Sequence, residues 1–207
     1  MTPAQGPGDN DLRAAKRRLR REVLERRARR SPAEVERYAD ALAAAALAEP
    51  SIAGAGCVAA YVGVDHEPAT LPLLDGLRDA GVRVLLPVLS PDWTLRWGGY
   101  AGRHALVVGL RGLREPALAP TEAGEPLAEA DVVLLPGLAM GPDGMRLGRG
   151  GGAYDRALAA LPAGGRDLLV VLHPEEVGLD VPAEPHDQAV DGALTTSGVR
   201  RGDGADR

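Results

Sequence analysis

The stretch that decides the fold is residues 131–156, which read DVVLLPGLAMGPDGMRLGRGGGAYDR. It opens with a run at 131–135 that is typical of a strand buried on both faces of a sheet. Four of the five residues from 148 to 152 are glycines, which predicts a loop. A helix is predicted to follow from about Gly152 to Leu161. The order is therefore strand, glycine-rich loop and helix.

The same alternation of apolar strands and helices continues on both sides of this stretch. Further strands are predicted at 57–62, 82–88, 167–172 and 193–196, with a half-exposed strand at 93–97 and a short one near 106–108. Helices are predicted at 12–30, at 32–49 behind a capping box at Ser31 to Glu34, and at 70–80 before Gly81.

This alternation predicts an α/β fold, a three-layer, open, mainly parallel sheet with helices on both faces, Rossmann-like in architecture. A single domain is expected at 12–200, between a disordered leader at 1–11 and a polar tail at 201–207. The strand at 131–135 is expected to run straight into the glycine-rich loop. Ligands of such sheets bind at the carboxyl ends of the strands, so the loop lies where a site is expected.

The composition limits the class of protein. Hydrophobic residues make up 45% of the chain, but aromatic residues only 3% and Phe is absent, so the core must consist of Ala, Val and Leu. The one cysteine, Cys57, lies in an apolar run and is interpreted as buried filler. No apolar run approaches the roughly 20 residues of a membrane span, and the sequence lacks the apolar core of a signal peptide, so a cytoplasmic location is expected.

The charge is unevenly distributed. The chain carries a net −5, yet residues 13–30 hold ten basic side chains and two acidic ones. Lys16 is the only lysine among 24 basic residues. In a chain that otherwise uses Arg, a retained lysine indicates a site where a compact ammonium matters. It is expected at the surface.

The glycine-rich loop has the chemistry of a phosphate site. Glycines let backbone N–H groups turn toward an anion, and Arg146 and Arg149 can neutralise its charge. Asp155 offers a hard oxygen for the Mg²⁺ that accompanies a nucleotide. The ordinary alternative is a flexible loop with solvated arginines. The pattern is neither a Walker A loop nor a dinucleotide-binding fingerprint.

The stretches Leu135 to Ala139, Gly144 to Gly152 and Tyr154 to Arg156 closely resemble the signature of 5-formyltetrahydrofolate cyclo-ligases. The resemblance covers nearly the whole chain. Its weaker pieces lie in the expected order: Lys16 to Arg20, Glu67 with Thr70, Glu115-Pro116, Pro185-His186-Asp187 and Asp191.

The resemblance implies an ATP- and Mg²⁺-dependent cyclisation of 5-formyltetrahydrofolate to 5,10-methenyltetrahydrofolate, with release of ADP and phosphate. The formyl oxygen attacks the γ-phosphate, N10 then attacks the activated carbon, and phosphate leaves. No protein nucleophile is required. The enzyme's tasks are alignment and charge stabilisation.

The resemblance also implies roles for individual residues. Arg146, Arg149 and Tyr154 are the expected catalytic residues, and Asp155 and Asp187 the expected metal ligands. The expected substrate-binding residues are Tyr61, Val62, Glu67 and Trp97. By their chemistry, Trp93 and Trp97 could stack on a ring of the substrate or could equally be half-buried residues of the sheet. The expected ATP site comprises Lys16, Arg17, Arg18, Leu19 and Arg20, together with Arg146, Leu147, Gly148, Arg149, Gly150, Gly151, Gly152, Ala153 and Tyr154. Taken on their own, Arg17, Arg18 and Arg21 would form an ordinary solvated face.

Four positions depart from the family pattern. Met140-Gly141 replaces Phe-Asp, and Asp143 is expected to substitute for the missing acid. Ala153 replaces an aromatic residue beside Tyr154, which bears on folate affinity more than on ATP binding. Gly151 is a common variant.

Two alternatives remain open at this point. A diverged relative could bind nucleotide or RNA without cyclo-ligase activity, although the basic helix carries no aromatic platform for RNA. A different enzyme on a related fold, such as a sugar-phosphate isomerase, would not need MgATP. The main interpretation predicts a small-molecule substrate, no membrane, no nucleic acid, and a monomer or weak dimer.

Overall fold

The computed structural model describes residues 9–117, 126–162, 164–184 and 187–203. Its five α-helices are α1 (Asp9–Ala28), α2 (Pro32–Ala48), α3 (Pro50–Ala53), α4 (Leu71–Asp79) and α5 (Ala153–Ala159). Among these residues, no helix is both long enough and apolar enough to cross a membrane.

Eleven strands are found in the described ranges. They are β1 (Cys57–Ala59), β2 (Arg83–Leu89), β3 (Leu95–Gly99), β4 (Leu106–Val108), β5 (Arg114–Pro116), β6 (Val132–Pro136), β7 (Ala139–Met140), β8 (Arg146–Leu147), β9 (Asp167–Val171), β10 (Gly192–Thr195) and β11 (Gly198–Arg201). Seven of them form one sheet in the order β11-β10-β9-β6-β1-β2-β3. The five central strands are parallel, and β3 and β11 pair antiparallel at the two edges.

Both faces of this sheet are covered, which confirms the predicted α/β class. Alternate residues of β6 point to opposite sides. Val132 and Leu134 pack in the cluster that contains Leu42 of α2 and Leu73 of α4. Val133 and Leu135 pack in the opposite cluster with Leu158 of α5. The continuous apolar runs of the central strands therefore follow from burial on two sides.

Local sequence signals account for several element boundaries. Ser31 caps α2 through a reciprocal capping box with Glu34, as predicted. Cys57 is buried in the core, also as predicted. Helix α1 begins at Asp9 rather than at residue 12. Residues 1–8 and 204–207, which make up most of the predicted leader and tail, lie outside the described residues.

The connection from β6 to the glycine-rich loop differs from the prediction. A two-stranded hairpin, β7–β8, lies between them, because Met140 pairs with Arg146 and Ala139 with Leu147. The hairpin packs against Leu19 and Val23 of α1 in a third apolar cluster. This hairpin brings the basic helix α1 beside the glycine-rich loop.

Candidate active site

A cavity of about 440 Å³ opens beyond the carboxyl ends of β1, β2 and β6. Segments from distant parts of the chain line it, with residues drawn from 61–67, 87–95, 111–114, 136–137 and 146–155. The glycine-rich loop and the acid after β1 therefore face one another across a single cavity.

Arg146 lies at the inner end of the glycine-rich loop. It is buried, and its Nη2 donates to Asp155 Oδ1. Its Nη1 is also buried and has no hydrogen-bond partner in the described part of the chain. Burial lowers the pKa of Arg146, and the nearby carboxylates of Asp155 and Asp187 oppose that shift. A buried cationic N–H without a partner beside the cavity suits an anionic ligand atom.

Arg149 connects the loop to Glu67. Its Nε lies 3.3 Å from Glu67 Oε1, and its Nη1 donates to Asp65 Oδ2 at 3.1 Å. The second Glu67 oxygen accepts the backbone N–H of Val64 at 3.2 Å. Burial raises the pKa of Glu67, while the charges of Arg149 and Arg27 counter that shift.

Tyr61, Val62 and Tyr154 form part of the cavity wall. Burial raises the pKa of both tyrosines, so their hydroxyls stay protonated. Tyr61 is fixed through its carbonyl, which accepts the Thr70 hydroxyl at 2.6 Å, and that hydroxyl in turn accepts the Gly63 N–H at 3.1 Å. Thr70, which the sequence linked to Glu67, therefore shapes the turn that carries this acid.

The two tryptophans lie in different places. Trp97, the predicted substrate contact, is 4% exposed and packs in the core, with its ring centroid 6.4 Å from that of Tyr154. Trp93 lines the cavity and is 39% exposed. Its φ of 65° places it in a turn before β3, so the alternation that seemed to group it with Trp97 does not apply. Trp97 therefore packs against the cavity-lining residue Tyr154, whereas Trp93 lines the cavity itself.

Lys16 does not lie at the surface, and that prediction is wrong. It is 6% exposed, and its Nζ donates to Glu184 Oε2 and Asp187 Oδ2, each at 2.6 Å. Burial would lower the pKa of Lys16, but the hydrogen bonds to Asp187 and Glu184 raise it. A compact ammonium between two carboxylates agrees with the retention of lysine at this position.

The rest of the basic stretch divides between the two faces of α1. Arg20 donates from Nε to the carbonyl of Gly148 at 2.8 Å, so it holds the glycine-rich loop. Leu19 packs in the apolar cluster below the β7–β8 hairpin. Arg17 and Arg18, which the resemblance placed in the ATP site, are exposed and do not line the cavity.

The two predicted metal ligands, Asp155 and Asp187, both act electrostatically on Arg146. Asp155 pairs with this arginine, and Asp187 accepts Lys16 and the backbone N–H of Glu184. Neighbouring His186 lies outside the described residues. No group of three or more His, Cys, Asp or Glu side chains in the described ranges is arranged to hold a metal. Two carboxylates suit Mg²⁺, which usually keeps waters and takes its remaining oxygens from phosphates.

Comparison with known proteins agrees with this geometry. Residues 12–196 match the model of the 5-formyltetrahydrofolate cyclo-ligase family. The chain belongs to this family. A 5-formyltetrahydrofolate cyclo-ligase of Mycolicibacterium smegmatis is 44% identical over 143 residues, which cover 67% of this chain and 72% of the relative. The Escherichia coli K12 protein of the same name is 34% identical, covering 66% and 75%.

Solved structures of cyclo-ligases, also called methenyltetrahydrofolate synthetases, have the same fold. The NMR structure of the Aquifex aeolicus 5,10-methenyltetrahydrofolate synthetase superposes with a TM-score of 0.76 at 26% identity, covering 90% of this chain and 92% of that one. The Mycoplasma pneumoniae synthetase superposes with a TM-score of 0.66 at 20% identity, covering 87% and 98%.

The positions that depart from the cyclo-ligase pattern have local explanations. At Gly141, an added Cβ would lie 2.6 Å from Asp143 Oδ1. Asp143 accepts the backbone N–H of Met145 at 3.0 Å, so it organises this turn as predicted. Ala153 begins α5 and lines the cavity, where its small side chain leaves space.

Two cavity residues, Arg111 and Arg114, were not predicted from the sequence. They lie in the segment 98–130, which was expected to be mostly irregular. The structure shows there a second hairpin, β4–β5, in which Val108 pairs with Arg114. The glycine at position 112, which adopts a φ of 74° in the turn between β4 and β5, is a feature of the sequence that could have indicated this hairpin.

Proposed function

We propose that this protein is an ATP- and Mg²⁺-dependent 5-formyltetrahydrofolate cyclo-ligase, which forms 5,10-methenyltetrahydrofolate and releases ADP and phosphate. One observation carries the proposal. The acid Glu67 and the arginines of the glycine-rich loop meet in one cavity, with Arg149 Nε only 3.3 Å from Glu67 Oε1. A folate ring and a triphosphate, bound at these two groups, would be in contact.

The phosphate side of the proposal rests on the glycine-rich loop. Gly150 and Gly152 have φ values of 98° and 66°, which open the backbone N–H groups without side-chain obstruction. Arg146 and Arg149 supply positive charge where the γ-phosphate would be transferred. Arg20 fixes the loop through Gly148, and Lys16 approaches from the same helix face.

The folate side rests on Glu67. Its side chain is 10% exposed and lies in the electrostatic environment of Tyr61 and Tyr154, and an ionised carboxylate can accept paired N–H bonds from the edge of a pterin. Trp93 offers an aromatic face to the same cavity. A folate bound in this way would have its formyl oxygen near the transferred phosphate, which is the alignment that the reaction requires.

Mg²⁺ would be held by Asp155 and Asp187 and would neutralise charge on the phosphates. Their chemistry fits, since both are carboxylates and both act electrostatically on the same arginine, Arg146. Asp155→Asn should raise the Mg²⁺ concentration needed for half-maximal activity. An unchanged Mg²⁺ titration would remove Asp155 from the metal site.

The direct test is the absorbance of 5,10-methenyltetrahydrofolate in a mixture of protein, MgATP and 5-formyltetrahydrofolate. The absorbance should rise only when all components are present. Arg149→Gln should abolish the rise, while Arg200→Gln, at an exposed position on β11, should leave it intact. ATP binding without any rise would instead support a relative whose chemistry has diverged.

The cellular setting belongs to the same proposal. A small-molecule substrate, a cytoplasmic location and a monomer or weak dimer are what we expect for this enzyme. Light scattering of the purified protein across a concentration series tests the oligomeric state.

A further inference from the structure

The β4–β5 hairpin presents two arginines at the mouth of the cavity. Arg111 and Arg114 line the same cavity as Arg146 and Arg149. The two loop arginines pair with Asp155, Asp65 and Glu67. Arg111 and Arg114, in contrast, form no ion pair within the described ranges. Their charges are therefore available to a ligand.

Local structure holds both side chains in place. The Arg111 guanidinium lies over the Trp93 ring, with Cζ 4.2 Å from the ring centroid. Arg114 donates from Nη2 to the carbonyl of Arg103 at 3.3 Å. The buried carboxylate of Glu115 anchors the hairpin to β2 by accepting the Leu89 N–H at 3.2 Å. These contacts pre-orient the arginines before a ligand arrives.

The β4–β5 hairpin and the basic helix α1 contact different elements around the cavity. Residues of β5 contact the β2–β3 edge of the sheet, where Pro116 lies beside Gly98. Helix α1 reaches the glycine-rich loop from elsewhere, through Arg20 and Gly148. The Trp93 ring, over which Arg111 lies, approaches Gly151, so the hairpin arginines form a second cationic region next to the glycine-rich loop.

We infer that Arg111 and Arg114 bind the carboxylates of the glutamyl tail of the folate substrate. This inference rests on the proposed function. A reduced folate with its ring at Glu67 still has to place a benzoyl group and at least two carboxylates. The apolar side chains of Leu95 and Leu113 line the cavity, and the two arginines stand beside them. Guanidinium groups bind carboxylates through paired hydrogen bonds, so the region suits such a tail.

The test compares 5-formyltetrahydrofolate with 5-formyltetrahydropteroate, which lacks the glutamate. The wild-type protein should bind the glutamylated compound about tenfold more tightly, as followed by quenching of tryptophan fluorescence without ATP. The double variant Arg111→Gln/Arg114→Gln should bind both compounds about equally. The double variant Arg29→Gln/Arg200→Gln removes the same number of charges at exposed positions outside the cavity and should preserve the discrimination.

Three results would overturn the inference. Full discrimination in the double variant would show that the tail binds elsewhere. A raised KM for ATP with an unchanged KM for the folate would assign the arginines to the triphosphate. A wild-type protein that does not distinguish the two compounds would rule out any tail site. The binding assay needs no turnover, so absence of the methenyl product would contradict the proposed function without deciding this question.

Discussion

The buried ion pair between Arg27 and Glu176 gives the sharpest prediction about stability. Both side chains have no exposed surface. Arg27 donates to the two Glu176 oxygens at 2.8 and 2.7 Å, and to the carbonyl of Gly137 at 2.8 Å. Gly137 lines the cavity, so the pair joins α1 to the site. Glu176→Leu would leave a buried guanidinium without its counter-charge.

The expected cost follows from this burial. Removing one partner of a buried ion pair destabilises a protein by about 3–5 kcal/mol. For a chain of this size, that loss lowers the melting temperature by about 6–20 °C. Arg27→Met should cost a similar amount, because Glu176 would then be the unpaired charge. The double variant Arg27→Met/Glu176→Leu has no charge left at this site and should cost no more than either single change.

Urea unfolding of the four proteins measures these free energies, and the chain supplies a matched control. Arg30 and Glu175 form an ion pair between the same two segments, with side chains 18% and 44% exposed. Disrupting that pair should cost at most about 1 kcal/mol, since solvent screens it. The reasoning fails if the Arg27 and Glu176 variants cost no more than these controls. It also fails if the double variant costs the sum of the singles.

Three further predictions concern other parts of the molecule. Burial, and then the charges of Arg30 and Arg27, lower the pKa of His173 to about 3. Between roughly pH 6 and 4, His173 is therefore protonated in the unfolded chain but not in the native state. The free energy of unfolding should fall by up to about 1.4 kcal/mol for each pH unit of acidification in that range. His173→Gln should reduce that slope in urea titrations, and exposed His104→Gln should not; equal slopes would contradict the assignment. Lys16→Met should raise the KM for ATP and cost about 1–2 kcal/mol of unfolding free energy, because it strands two partly buried carboxylates; wild-type values for both would refute its role. Gly63→Ala should cost about 1–3 kcal/mol and raise the KM for the folate, because the new Cβ would lie 2.2 Å from the Pro68 carbonyl in the turn that carries Glu67. Gly56→Ala meets only an ordinary 3.5 Å contact and serves as its control, so equal effects of the two changes would be inconsistent with this reasoning.

The sequence predicted the elements whose signals are local. The capping box at Ser31 depends only on residues three positions apart, and the structure shows it as expected. The central strands were recognisable because burial on two faces requires continuous apolar runs. Strand β11, in contrast, was missed because Val199 is its one large apolar residue. Its existence depends on antiparallel pairing with β10, which no local pattern reports.

The site was predictable in part for the same reason. The glycine-rich loop carries its chemistry in consecutive residues. The environment of Lys16 is not encoded in neighbouring residues, because its partner Glu184 lies 168 residues away in the chain. Trp93 and Trp97 illustrate a different limit. Two-residue spacing groups side chains only within a strand, and β3 begins at Leu95, after the turn in which Trp93 has a positive φ.

The basic helix α1 shows how a sequence can indicate which charged residues are paired with other segments and which are exposed. Lys16, Arg20 and Arg27 lie at helical spacings from one another and share the side of α1 that carries Leu19 and Val23. All three bind other segments of the protein. Arg17, Arg18 and Arg21 lie off this stripe and are exposed. A charged residue on the apolar stripe of a helix must be paired when the stripe is buried, because an unpaired buried charge is too costly. Within such a stretch, the positions that interrupt the apolar stripe are therefore the ones to test first. Applied here, this criterion selects Arg27, which neither composition nor the family signature had singled out.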